Sequence, residues 1–187
     1  DRKFRAQDGY QTFFSQEVPL ISDNSEFSNA FEVSKFKKLS TKSDTIGKIS
    51  FYAKTITSLS DDVRISKRLN IPSSKLRGFE KGRVGPKDNN DYIGGNHITT
   101  LNLSATLPNI LEDLDNLDIG VFFDAANIWG VDYNSSLDDK STIRTSTGIA
   151  FNLSTPIGPL SFSFANALTK ASSDKTETFR FRLGTQF

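Results

Sequence analysis

The sequence predicts an all-β fold, an antiparallel transmembrane β-barrel wall interrupted by one long inserted loop. Three observations predict it. Apolar and polar residues alternate with period two over most of the 187 residues. The polar face of that alternation carries Arg144, Arg180, Arg182, Asp124 and Asn152, as a wet lumen allows, while Trp129, Tyr10, Phe179 and Phe187 sit near strand ends, where an interfacial girdle lies. One segment, about 60–92, breaks the alternation, with Pro72, Gly78, Gly82, Gly85 and Pro86 arguing against a central strand. A soluble β-sandwich also alternates; the charged face and the aromatic placement favour the barrel.

The strands follow in order. Tyr10, Thr12, Phe14, Val18 and Leu20 share one face against Gln11, Ser15 and Glu17. Around 27–39, Phe31 and Val33 oppose Glu32 and Ser34 less cleanly, and Ile49, Phe51 and Ala53 then oppose Lys48, Ser50 and Lys54. After the loop, alternation resumes past Gly94-Gly95: Leu101, Leu103, Ala105 and Leu107 face away from Thr100, Asn102, Ser104 and Thr106. Leu117, Ile119, Val121, Phe123 and Trp129 oppose Asp118, Gly120 and Asp124. Ile143, Ile149, Phe151 and Leu153 oppose Arg144, Ser146, Gly148 and Asn152. Leu160, Phe162, Phe164 and Leu168 oppose Ser161, Ser163 and Ala165, and Phe179, Phe181, Leu183 and Phe187 oppose Arg180, Arg182 and Gln186. That is about eight strands. Residues 1–187 thus read as one domain, with strands in about 1–59 and 94–187 and the loop between them. Pro156-Ile157-Gly158-Pro159 is a tight connection; 22–26 and 108–116 are modest; 40–44, 131–141 and 169–177 are polar and rich in Ser, Asp and Lys. Tight turns on one side and longer polar loops on the other suit an outer-membrane barrel.

Composition narrows the function. A net charge of +1 gives no global pull toward nucleic acid. The mean hydropathy of −0.39 fits no helical span, yet a barrel hides its apolar residues at every second position. With no Cys, disulfide and thiolate chemistry are excluded. His97, the single histidine, has no second His or Cys to complete a zinc site, so no metal or other cofactor is expected. Gly78, Gly82 and Gly85 lack the Gly-Lys-Ser/Thr ending of a phosphate loop. The basic residues of the loop lack the interleaved aromatics of a nucleic-acid platform. The chain opens mid-pattern at Asp1-Arg2-Lys3-Phe4, without Met or signal peptide, and reads as a piece of a longer mature protein.

The loop holds the segment of greatest interest, Lys75-Leu76-Arg77-Gly78-Phe79. An arginine, a permissive glycine and an aromatic in succession make poor solvent-exposed filler. On the residues alone, a solvated arginine and a docked one stand about equally.

These features together resemble a family. Leu76-Arg77-Gly78-Phe79, with Gly85-Pro86 following, is similar to the Val-Arg-Gly-Phe loop of the BamA family, the barrel-assembly insertases of the bacterial outer membrane (bacterial surface antigen domain). Gly94-Gly95-Asn96 resembles the opening of that family's next strand. Phe122-Phe123-Asp124-Ala125 with Trp129 resembles its aromatic-x-Asp-x-Gly strand, with Ala126 where Gly is frequent. Ile157-Gly158-Pro159-Leu160 leading to Phe164-Ala165 resembles its penultimate hairpin. Asp174 through Glu177, Phe179-Arg180-Phe181 and Gly184-Thr185-Gln186-Phe187 resemble its closing strand. The resemblance covers the chain and is most specific from 75 to 187.

It implies the C-terminal eight strands of a sixteen-stranded barrel, with the 60–92 loop folded into the lumen. Arg77 would pair there with Asp124, and Phe79 would pack on lumen aromatics such as Phe122. Ser104 stands where the family has an inward Glu that helps hold the arginine, so a second ionic contact is expected to be weakened. Phe179, Phe181, Leu183, Gly184 and Phe187 would form a sorting strand and one side of a lateral gate. The implied function is assembly and insertion of β-barrel proteins, without bond chemistry and so without catalytic residues. The implied partners are unfolded outer-membrane proteins, outer-membrane lipid and accessory assembly lipoproteins, the last mostly through N-terminal modules outside this chain. A secretion translocase or autotransporter-assembly barrel of the same superfamily is the alternative. An outer-membrane enzyme lacks a Ser–His or Asp–His constellation, and a passive porin would need a lumen not blocked by the loop.

Overall fold

In a computed structural model of the protein, the structure describes residues 6–19, 26–40, 44–108, 116–137, 142–156 and 158–184. The predicted positions Leu20, Ile157, Thr185, Gln186 and Phe187 lie outside the described residues. Ten strands are present among the described residues: β1 (Gly9–Glu17), β2 (Glu26–Lys38), β3 (Ile46–Ser58), β4 (Lys87–Asp88), β5 (Asp91–Tyr92), β6 (His97–Pro108), β7 (Leu117–Trp129), β8 (Arg144–Thr155), β9 (Gly158–Thr169) and β10 (Phe179–Leu183). Eight of them form one antiparallel meander in the order β1-β2-β3-β6-β7-β8-β9-β10, while β4 and β5 make a separate two-stranded hairpin within the long loop. The sheet is not closed: β1 and β10 stand at its two edges. The loop hairpin was not apparent from the period-two pattern, because two-residue strands are too short to show a period.

The wall is inside out relative to a soluble sheet. Phe31, Ile49, Phe51, Leu101, Leu103, Val121, Ile149, Phe164, Phe179, Phe181 and Leu183 are exposed on one face. The other face buries Ser28, Ser34, Ser50, Thr100, Asp118, Asp124, Arg144 and Ser146 with a few apolar side chains. A sheet with one apolar and one polar face ordinarily buries the apolar one, since that is where burial is favourable. The opposite choice suits a solvent that is itself apolar.

The long loop makes this choice workable. It connects β3 to β6 and folds back over the polar face. Val63, Leu69, Ile71, Leu76, Phe79 and Val84 of the loop pack with Ile56, Ile98, Ala126 and Ile128 of the wall as one buried apolar cluster. The core therefore lies between loop and wall. An isolated antiparallel bridge pairs Leu69 with Gly95 and anchors the loop's return.

The connections 59–96, 130–143 and 170–178 share one end of the wall, and 39–45 and 156–157 share the other, as the meander order requires. Of segment 40–44, grouped by its composition with the long polar loops, residues 41–43 lie outside the described residues, and the described Ser40 and Asp44 sit at the short-turn end. Trp129 closes β7 at the long-loop end, its ring 5.5 Å from that of His97. Tyr10 lies at the short-turn end, beside Lys35 near the end of β2. Phe179 is not at a rim: it pairs with Phe164, well inside β9.

Candidate functional site: the docked loop

Asp124 sits on β7 among alternating inward positions, so its carboxylate points at whatever covers the polar face. The loop brings Arg77 there. The Arg77 Nε donates to Asp124 Oδ2 and Nη2 to Oδ1, each at 2.7 Å, a two-pronged match of planar groups. The backbone N–H of Arg77 also donates to Oδ2 at 3.1 Å, and the Asn102 amide donates to Oδ1 at 2.8 Å. Asp124 is fully buried, and the Arg77 side chain keeps 17% exposure. The guanidinium lies 3.4 Å from the centroid of the Phe122 ring.

The rest of the motif is fixed by its backbone. The Ser146 hydroxyl donates to the Arg77 carbonyl at 2.5 Å. Gly78 has φ +85°, and a Cβ there would lie 3.2 Å from the Cβ atoms of both Ala165 and Ser146. Conformation and space together call for glycine. From Gly78 onward the loop pairs with the segment before β10: the Glu177 N–H donates to the Gly78 carbonyl at 3.1 Å, Phe79 bridges Thr176, and the Glu80 N–H donates to the Lys175 carbonyl at 3.0 Å. Leu76 and Phe79 are each 2% exposed in the aliphatic cluster. Phe122, expected to receive Phe79, carries the guanidinium instead.

Ser104 lies two residues from Asn102 on the same inward face, opposite Phe122 and Lys48. The expectation of a single charge partner for the loop needs correction. Lys75, two residues before Arg77, forms an ion pair with Glu32 of β2. A second ionic contact to the loop therefore exists with the same polarity but other residues: the cation is Lys75 instead of Arg77, and the acid lies on β2, two strands from Ser104 on β6. The pattern at 27–39 placed Glu32 inward but offered no signal for its partner.

Further ion pairs were missed, two of them because their partners lie far apart in sequence and one, Arg180 with Glu177, although only three residues separate them. Arg144 of β8 and Asp174 of the β9–β10 connection are both fully buried and bonded at 2.9 and 3.2 Å. Asp174 also accepts the N–H groups of Gly85 and Ala171. Arg68 pairs with Asp132 of the β7–β8 connection. Arg180 of β10 donates to the carbonyls of Ser73 and Phe79 and pairs with Glu177. Burial works against the Asp132 carboxylate, but hydrogen bonds from the Val63 N–H and the Asn96 amide, with the charge of Arg68, outweigh it and hold the group below its ordinary range.

Of the closing-strand residues, Phe179, Phe181 and Leu183 face outward and are about half exposed. Their rings stack across the last pair, Phe164 with Phe179 at 5.0 Å and Phe162 with Phe181 at 5.2 Å. Gly184 lies just past the ladder, donating one more bond to the Pro159 carbonyl at 3.2 Å, with open space where a Cβ would be.

The model of the Omp85 superfamily domain matches residues 1–187. The chain belongs to the Omp85 superfamily. Among members of that superfamily it is similar to the outer membrane protein assembly factor BamA of Neisseria meningitidis serogroup B, 31% identical over 139 residues, covering 60% of this chain and 17% of that protein. It is likewise similar to BamA of Neorickettsia risticii, 27% identical over 117 residues, covering 61% of this chain and 16% of that protein. The crystal structure of BamA from Haemophilus ducreyi lacking POTRA domains 1-3 matches with a TM-score of 0.85 at 26% identity, covering 97% of this chain and 39% of that one. The chain thus spans about a sixth of the length of these curated relatives.

Proposed function

We propose that the chain is the wall-and-loop portion of a bacterial outer-membrane insertase that assembles β-barrel proteins. One observation carries the reading: an inside-out wall that matches a BamA barrel has its long loop locked to the polar face through Arg77 and Asp124. The clients are unfolded outer-membrane proteins, the setting is outer-membrane lipid, and accessory lipoproteins engage modules outside this chain. The physical logic is edge pairing. An unfolded barrel strand has backbone groups that are costly to leave unpaired in lipid. A sheet edge offers them partners, with alternate side chains giving specificity. The short β10, paired along five residues with β9, is such an edge when its other seam opens.

The test uses the full-length protein as sole copy in cells, with Arg77→Ala or Asp124→Ala. The amount of folded, heat-modifiable barrel proteins is expected to fall in each. Normal client assembly in both variants sinks the role of the pair. Loss of polypeptide export, with barrel assembly intact, turns the reading to a secretion translocase.

A further inference from the structure

The apolar face of the wall carries a notch at the short-turn end. Its floor is Gly47 of β3 and Ala105 of β6, which are paired and have almost no side chain. Ile49, Leu103 and Val121 rise beside it, and Leu39 closes it, its side chain 2.9 Å from where a Gly47 Cβ would stand. The Leu39 N–H donates to the Thr45 carbonyl at 2.8 Å, which fixes the turn that aims it there. The cavity holds about 600 Å³.

Two lysines border this notch. Lys35 and Lys37 lie on the outward register of β2, paired with Ile49 and Gly47. Both are exposed. A lysine on a lipid-facing wall is costly at mid-bilayer and nearly neutral close to the interface. Lys37 is the penultimate residue of β2 and Lys35 is one pleat deeper, so both stems can run along apolar surface and lift their ammonium groups to headgroup level. The Lys35 Nζ lies 5.1 Å from the centroid of the Tyr10 ring, itself 72% exposed on the same face. Aromatic residues of this kind favour the headgroup zone.

We propose that this notch is a binding site for one anionic phospholipid, its acyl chain lying over Ala105 against the Leu39 side chain that covers Gly47, and its headgroup phosphate held by Lys35 and Lys37. Charge complementarity selects the occupant. An apolar slot without cations would take any hydrocarbon, whereas a pair of ammonium groups at its mouth selects a chain that ends in negative charge. The site rests on the placement of this face in a bilayer.

Native mass spectrometry of the full-length protein tests it, released from vesicles containing equal phosphatidylglycerol and phosphatidylcholine. The wild type should retain phosphatidylglycerol preferentially. Lys35→Gln with Lys37→Gln should lower that preference about thirtyfold, as expected for two cations near an anionic surface. Ala105→Phe, which fills the notch and leaves both lysines, should lower total lipid retained. Unchanged retention in both variants, in protein that inserts normally into vesicles, overturns the site and leaves the bilayer placement standing. Wild-type protein that fails to insert overturns both.

Discussion

Arg144 and Asp174 bury opposite charges completely and join three parts of the chain at one carboxylate. The arginine belongs to β8, the aspartate to the β9–β10 connection, and the Gly85 N–H brings in the long loop. Taking two charges out of water is costly, so the pair survives only with every oxygen occupied. Asp174→Asn should destabilise the protein by about 3–5 kcal/mol, because the arginine is left buried without its counter-charge. Replacing both by apolar residues of similar size should recover most of that. Denaturant titration of the folded, vesicle-bound full-length protein reads both effects.

The Arg77 contact depends on shape as well as charge. Lysine at 77 would keep the charge but lose the two-pronged fit and the flat contact with Phe122. Arg77→Lys should therefore behave closer to Arg77→Ala than to wild type. In a double-mutant cycle, Arg77→Ala and Asp124→Ala should be strongly non-additive, with a coupling of about 1–3 kcal/mol.

Gly78 and Gly82 separate conformation from space. Both have positive φ, +85° and +68°, but only Gly78 has neighbours within contact of a new Cβ. Gly82→Ala should cost about 1 kcal/mol through backbone strain alone. Gly78→Ala should cost more and expose the loop to limited proteolysis at Lys75 and Arg77, while Gly82→Ala leaves those bonds protected.

The Asp132 contact predicts an acid limit on loop docking. Its carboxyl is held below the ordinary range when folded, so the unfolded chain takes up a proton first as pH falls. The contribution is thus complete at neutral pH and above the ordinary carboxylate range, and is lost as pH falls through the lowered folded value. Asp132→Asn should be less stable than wild type at pH 7, and the gap should close toward pH 3. Thermal unfolding across that range checks the sign.

Much of the wall was legible because a half-buried strand writes its faces into alternate residues. The eight wall strands emerged from runs such as Leu117–Phe123 against Asp118–Asp124. The side of the wall that buries polar atoms was also visible, since Asp124 and Arg144 share the register that Val121 and Ile149 avoid. What sequence did not reveal were pairings set by the path of the loop. Lys75 with Glu32, Arg68 with Asp132 and Arg144 with Asp174 join residues 43, 64 and 30 positions apart, and nothing in a local pattern encodes such closures. The swap at Phe122, which receives a guanidinium where an aromatic ring was expected, has the same origin. Arg77 meets β7's ring, while Phe79 joins the aliphatic cluster between loop and wall.

The backbone pairing of residues 78–80 with 175–177 has a mechanical consequence. The approach to β10 is clamped to the loop, and the loop is clamped to β7 at Asp124. A pull on β10 therefore passes along a rigid strut to the middle of the sheet before it reaches the polar connections. Displacement of β10 alone has its pivot at Thr178, whose carbonyl accepts the Ala165 N–H at 2.8 Å, and everything upstream of that residue stays with the wall.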